Sequence, residues 1–396
     1  MNSISRFYTL FWIIYFPLCI AFYDSISFQY IDEFLTLGLI FFTFISLKKN
    51  ASKKGIREAR AYVVIMAFYV IYSLLMAVNM SNAVWQDLQQ QVRPYAVFYC
   101  TWLLAPEFTK RQKSIILNTM AVTIVAYIVL TLSGRLSFSS GQAFVTPVTG
   151  QLALVMAMAF FCFKPKTKRN IIISILILTI GLLSAKSKFY GEYVAFIAIV
   201  CFLHKRIRFS SLKTMVQLAV LTGAVIFFTW EKFNAYYVEG FGEERLQEMA
   251  RPATYAVGME ILSDYFPFGP GLGTFACHAA AVYYSPLYPK YELDNYWGLT
   301  KENPMFLADC FFPVLAQYGW VGVLLFCVFW YRRIRGMRNI VDERYYKMGL
   351  MCILALAMES VADTSYLSGK GMGFFMLLAI CLNANKVNGS DEYRLK

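Results

Sequence analysis

Three stretches of this chain hold the residue types that phosphate and acid–base chemistry needs. Lys186 and Lys188 lie in LLSAKSKFYGEYVAF (182–196), a turn between two apolar runs. Arg251 opens MARPATYAVGMEILSDYFPFGPGLGTF (249–275). Asp309 lies near the start of PMFLADCFFPVLAQYGWVGVLLFCVFWYRR (304–333), and Glu359 and Asp363 stand four apart in the next apolar run. A lysine or arginine can neutralise a phosphate, and a positioned carboxylate can accept the proton of a hydroxyl. Arg251 gains from its setting. Pro252 suits the first turn of a helix over 252–265, which puts Arg251 at a helix N-terminus beside free N–H groups, a natural anion site. Gly269, Gly271 and Gly273 make a tight turn after that helix. Without a preceding strand, they carry no nucleotide-site reading.

Each feature also has a plainer explanation. Glu192 follows Lys188 by four residues, the spacing of a structural ion pair on one helix face. Carboxylates close to the end of a membrane helix can snorkel to water, although acids in such helices are functional candidates by default. The segment AVYYSPLYPKYELDNYWG (281–298), which includes Tyr291 and Trp297, is crowded with amphipathic rings. It reads either as an interfacial aromatic belt or as a wall that binds saccharide.

The elements that position these residues follow from composition. Of the 396 residues 58% are hydrophobic and 15% charged, with a mean hydropathy of +0.51. A soluble domain of this length needs more charge to cover its surface. Apolar runs of 15 to 22 residues recur along the chain, the size that a bilayer core of about 30 Å requires of a helix. They predict an all-α polytopic membrane protein, one integral domain over 1–396, with about twelve transmembrane helices. These fall near 8–22, 31–47, 61–78, 93–105, 115–133, 145–163, 170–185, 189–203, 214–230, 304–331, 346–362 and 367–385. The first run lacks a small-residue cleavage site and reads as a retained helix.

Of the 37 Lys and Arg residues, 27 then fall on one side, in clusters such as LKKNASKKGIREAR (47–60) and KPKTKR (164–169). The positive-inside rule places that side, and both termini, in the cytoplasm. The net charge of +13 is thereby explained by topology and needs no nucleic acid. Residues 231–303 form one large periplasmic loop containing the short amphipathic helix, with ten acidic and five basic residues. Ten basic residues, among them Arg93, Lys186, Lys188 and Arg251, lie on the outer side. Eight of nine cysteines sit in apolar runs and Cys277 alone in the loop, which argues against an intramolecular disulfide outside the membrane. No CxxC or Cys/His cluster suggests a metal.

In this order the motifs resemble the O-antigen polymerase and ligase family, most clearly over 182–333. Ser187-Lys188-Phe189 is similar to the family's small-residue turn. Arg251 followed by PFGPGLGTF (267–275) resembles its Arg-headed helix and glycine stretch. Gln317, Gly319 and Gly322 resemble its Q/E-x-G-x-x-G element, and Asp363 its carboxylate on the next helix. The family's ligases carry a His-Asn pair where this chain has Ala308 and Asp309, so the resemblance favours a polymerase. It implies inverting, metal-independent glycosyl transfer from an undecaprenyl-diphosphate-linked glycan on the periplasmic face of the bacterial inner membrane. No cofactor is implied. Arg251 and Lys188 would hold the diphosphate, and Asp309 or Asp363 would be the base. Lys186, Glu359, Asp363, Arg93, Tyr291 and Trp297 would meet the substrate. The product would be O-antigen of lipopolysaccharide, capsule or exopolysaccharide, and the partners would be membrane lipid, a chain-length regulator and a flippase.

Four rivals are weaker, the plainest being a purely structural membrane anchor, against which the outer layer of cations and carboxylates argues. A ligase to lipid A core lacks its histidine. A lipid-linked oligosaccharide flippase calls for two similar halves and a charged central path, and the sequence shows neither. A metal-dependent oligosaccharyltransferase or mannosyltransferase needs an acidic motif in a long first outer loop, whereas Asp24, Asp32 and Glu33 occupy a short one.

Overall fold

A computed structural model describes residues 3–23, 30–47, 53–135, 148–203 and 249–394, with seven single residues between 216 and 234. The ninth expected span (214–230), His204, Lys232 and Arg245 therefore fall wholly or largely outside the described residues. The described residues are mostly helical, and none of them forms a strand. In chain order they form α1 (Ser3–Tyr15, continued as a π-turn over Phe16–Ala21), α2 (Ile31–Ser46), α3 (Lys53–Met76), α4 (Ser81–Leu104) and α5 (Lys110–Leu132). Next come α6 (Thr149–Phe163), α7 (Lys168–Ile180) and α8 (Ser187–Ile197). After the largely undescribed stretch follow α9 (Ala250–Asp264), two short helices α10 (His278–Val282) and α11 (Leu287–Lys290), then α12 (Gly319–Met337), α13 (Glu343–Ala362) and α14 (Gly369–Arg394).

Four of these are long and apolar enough to cross a membrane: Ser3–Ala21, Lys54–Met76, Lys110–Leu132 and Phe312–Met337. Thr149–Phe163 and Gly369–Ala384 are shorter apolar helices. The helix starts have local causes. Thr109 and Gln112 cap α5 reciprocally, and the side chains of Thr167 and Asp342 accept backbone N–H groups at α7 and α13. At the centre lie α6 and the first half of α14. Both are buried on every face, so they are apolar all round and not amphipathic. By contrast α2 and α3 expose rows of large apolar side chains, including Phe41, Phe44, Val64 and Leu75.

Two expected elements differ. The helix expected over 93–105 begins at Ser81, twelve residues earlier, so Arg93 lies in the middle of α4 and not at its outer end. A continuous helix over 304–331 would put Asp309 on its outer turn. Instead residues 304–311 are irregular, a 3-10 helix runs from Phe312 to Tyr318, and α12 begins at Gly319. Pro313 explains this: it falls well inside the expected helix, where its missing N–H and its ring break the preceding turn, whereas Pro304 stands only at the expected first position.

The segment 249–303 packs on the bundle and extends its core, with Phe275, Cys277, Ala280, Leu287, Tyr288 and Leu299 buried. A joint built on glycine fastens it. The Leu272 N–H reaches Ser73 Oγ (2.7 Å), the Gly273 N–H reaches Asp87 Oδ2 (2.9 Å), and the Gly271 N–H reaches the Gln317 carbonyl (3.0 Å). Asn79 Nδ2 donates to the Gly273 carbonyl (2.6 Å) and Tyr72 to that of Gly269 (2.9 Å). Gly269 and Gly319 face each other with positive φ. A Cβ on Gly269 would collide with the Gln317 carbonyl, and one on Gly319 with the Gly269 nitrogen.

Candidate functional site

Lys188 occupies the second position of α8 and reaches across to α13. Its Nζ lies 2.5 Å from Glu359 Oε2 and 2.5 Å from Asp363 Oδ2. Glu359 projects from the last turn of α13, and Asp363 is the extended residue that ends it, so one ammonium bridges both. Gln151 of α6 donates to Ser365 Oγ (2.9 Å) and to Glu359 Oε1 (3.3 Å). The Ser365 N–H fixes Asp363 Oδ1 at 2.9 Å. Burial acts to lower the Lys188 pKa, but the Glu359 and Asp363 carboxylates outweigh it and raise it. The reverse holds at Asp363: burial acts upward, and Lys188, then Lys370, bring it below the ordinary value.

The plain reading of Lys188 with Glu192 as an ion pair on one helix face is not what the fold adopts. Glu192 is 1% exposed, faces Glu359, and its Oε1 has no hydrogen-bond partner. Lys186 is exposed at the N-cap of α8.

The other cation is held the same way. Arg251 lies in the first turn of α9, and its Nε and Nη2 approach the same Asp309 oxygen at 2.7 and 2.6 Å. Backbone contacts tie this pair to the Lys188 group. The Phe311 N–H donates to the Ser360 carbonyl (3.1 Å), Thr364 Oγ1 to the Ala308 carbonyl (3.2 Å), and the Tyr255 hydroxyl to the Val361 carbonyl (3.0 Å). Residues 308–311 therefore run beside 360–364, and the structure gathers Lys188, Arg251, Asp309, Glu359 and Asp363 at one end of α13.

Arg93 is placed elsewhere. It is buried in α4, pairs with Asp32 (2.6 Å) and with Glu33, and donates to the Leu367 carbonyl (3.0 Å). Its partners make it a strut that joins α2 to the turn before α14.

Tyr291 and Trp297 also separate. The Tyr291 hydroxyl bonds Asp264 Oδ2 (2.8 Å), and the Lys290 ammonium sits over the rings of Tyr265 and Tyr291. Tyr291 lines a cleft of ≈ 630 Å³ with Ala256, Glu260, Glu292, Asn295 and Tyr296. At about 100° per residue, the α9 side chains of this cleft (Ala253, Ala256, Val257, Glu260) point roughly 140–240° away from Arg251. The cleft thus opens on the far face of α9. Trp297 is two-thirds exposed and rests edge-on against Phe306.

A second, apolar groove of ≈ 140 Å³ runs between α3, α4 and α12, lined by Tyr62, Tyr69, Tyr95, Phe311, Phe326 and Phe329 among others. At one end Arg333 pairs with Glu58 and stacks on Phe98, Trp102 and Phe329.

Sequence reasoning passed over Gln151, Ser365 and Asp87. Asp87 is fully buried and accepts from Gln91 (3.1 Å), Gln317 (2.7 Å) and the Gly273 N–H. Its signal was the polar run QDLQQQ (86–91) at the head of an otherwise apolar helix. Gln317 and Gly319 turn out to pack on the 267–273 turn, so two motifs distant in sequence form one joint. Among the described residues no group of His, Cys, Asp and Glu has the arrangement of a metal site. No protein-family model matches the chain, and no curated protein matches it significantly.

Proposed function

We propose that this chain is a polymerase that joins undecaprenyl-diphosphate-linked oligosaccharide repeat units at the periplasmic face of the bacterial inner membrane. In this reading the chain crosses the membrane about twelve times with both termini in the cytoplasm, and the end of α13 that carries Glu359 and Asp363 faces the periplasm. The observation that carries the reading is the meeting of Arg251 and Lys188, from segments more than sixty residues apart, at one level, each against a carboxylate.

The chemistry follows from those pairs. A lipid diphosphate brings several negative charges and competes with Asp309 for Arg251, and with Asp363 for Lys188. The displaced Asp309 is then free to accept the proton of an attacking sugar hydroxyl. The new C–O bond forms at the anomeric carbon as its bond to the diphosphate breaks. The departing diphosphate oxygen is stabilised by Arg251 and Lys188, and no metal takes part in this proposed step. Tyr291, Glu260 and Asn295 line a cleft suited to sugar: rings for the apolar faces, and polar groups for the hydroxyls. Because it opens away from Arg251, it receives units remote from the reacting one. Ala308 and Asp309, where a ligase has histidine and asparagine, favour polymerisation over transfer to lipid A core.

The test is genetic. In a deletion strain complemented with Arg251→Ala or Asp309→Ala, the glycan collapses to single repeat units on lipid A core. An unchanged polymer length distribution with either variant removes the proposed site. Long unattached polymer in the deletion strain would make the protein a ligase, and loss of all extracytoplasmic glycan would make it a flippase.

A further inference from the structure

The cluster around Lys188 holds more acid than base, and its innermost member lacks a donor. Glu192 of α8 and Glu359 of α13 are each 1% exposed and lie within hydrogen-bonding reach of each other. Glu359 Oε2 takes the Lys188 ammonium, which also serves Asp363. Glu359 Oε1 receives a single long bond, 3.3 Å, from Gln151. Nothing donates to Glu192 Oε1. An ionised carboxylate only accepts hydrogen bonds, so a buried, charged Glu192 facing another carboxylate would be both unsatisfied and repelled. A protonated carboxyl has a hydrogen to give, and Glu359 is the acceptor it meets.

We propose that Glu192 and Glu359 form a proton-binding pair, in which Glu192 carries the proton at neutral pH and donates it to the Glu359 carboxylate. The charged groups that face the pair are Lys188 on α8 and Asp363 on α13, with Lys370 of α14 acting on Asp363. One bound proton leaves Glu359 and Asp363 as the two anions around Lys188. The pair supplies a proton store just inside the exposed part of the cluster.

Infrared spectroscopy of the full chain in lipid vesicles tests it. At neutral pH the spectrum should contain the C=O stretch of a protonated carboxyl that moves on transfer to D2O. The wild-type minus Glu192→Gln difference should contain that band, whereas the wild-type minus Asp363→Asn difference should not. Glu192→Gln keeps a donor toward Glu359 and should melt close to wild type, while Glu192→Ala should melt lower. A wild-type minus Glu192→Gln difference without a carboxylic-acid band overturns the proposal. Should Glu192→Gln fail to accumulate, Glu192→Asp must shift the band, and an unmoved band is equally fatal.

Discussion

The glycine joint and the Lys188 cluster draw on neighbouring segments yet solve opposite problems. The joint brings backbone against backbone: Gly269 meets Gly319, Gly273 meets α4 at Ala83, and the bonds are mainly between neutral groups and carbonyls. The cluster brings charge against charge, with the Glu359 and Asp363 carboxylates on one ammonium and the buried Glu192 side chain beside them, its Oε1 unmatched. A region that fixes shape leaves no room for a methyl group. A region that handles charge keeps its groups paired only as long as nothing better arrives. A rigid backbone joint and a concentration of paired charge are thus placed side by side.

The largest effect that would sharpen this contrast is Lys188→Met. It strands Glu359 in a buried, doubly acidic environment and should cost roughly 3–5 kcal/mol in thermal or denaturant unfolding. Adding Glu359→Gln should recover much of the loss. Without that recovery, Lys188 is a packing residue and not a counter-ion. Next comes Gly273→Ala, where φ is +74° and the new Cβ would lie 2.7 Å from the Ala83 backbone. Left-handed strain plus overpacking predicts a loss of about 2–4 kcal/mol. A near-neutral result would mean the joint has slack.

Arg251→Ala should destabilise less, by about 1–2 kcal/mol for a partly buried pair with side chains 18% and 26% exposed, while abolishing polymer in cells. A variant that is equally impaired in stability and function would erase the distinction between the two regions. The smallest effect concerns pH. Asp363 has a lowered pKa, so its link contributes above the unfolded value of 3.8 and is lost as pH falls through the folded one. Lys188 is raised, so its share is complete below 10.5 and is lost only above that. The stability difference between wild type and Asp363→Asn should therefore be flat near neutrality and shrink only in strong acid or strong alkali. A slope between these limits would contradict the pairing.

Sequence periodicity and hydropathy locate a residue along a helix, and this was enough to put Lys188, Arg251, Glu359 and Asp363 at a common level. They say little about azimuth. Hence Lys188 was as readily paired with Glu192, four residues on, as with acids from another helix. Arg93 shared the level of the site, yet its neighbours are Asp32 and Glu33. Asp309 was legible as a group but not in its setting, because Pro313 interrupts the expected helix and the chain before it is irregular. The glycines of 267–275 announced a tight turn. That they meet Gly319 depends on tertiary approach, which no local pattern encodes.

The enclosure of α6 has a consequence for how such a chain matches a bilayer. A helix that touches lipid must be as long as the hydrocarbon layer is thick, or tilt, or thin the membrane around it. A helix surrounded by other helices has no such obligation, since its ends meet protein at whatever depth it stops. The fifteen residues of α6 rise only about 22 Å, and they are wrapped on all sides. The axis of such a bundle is thereby released from the thickness that its lipid-facing helices must match.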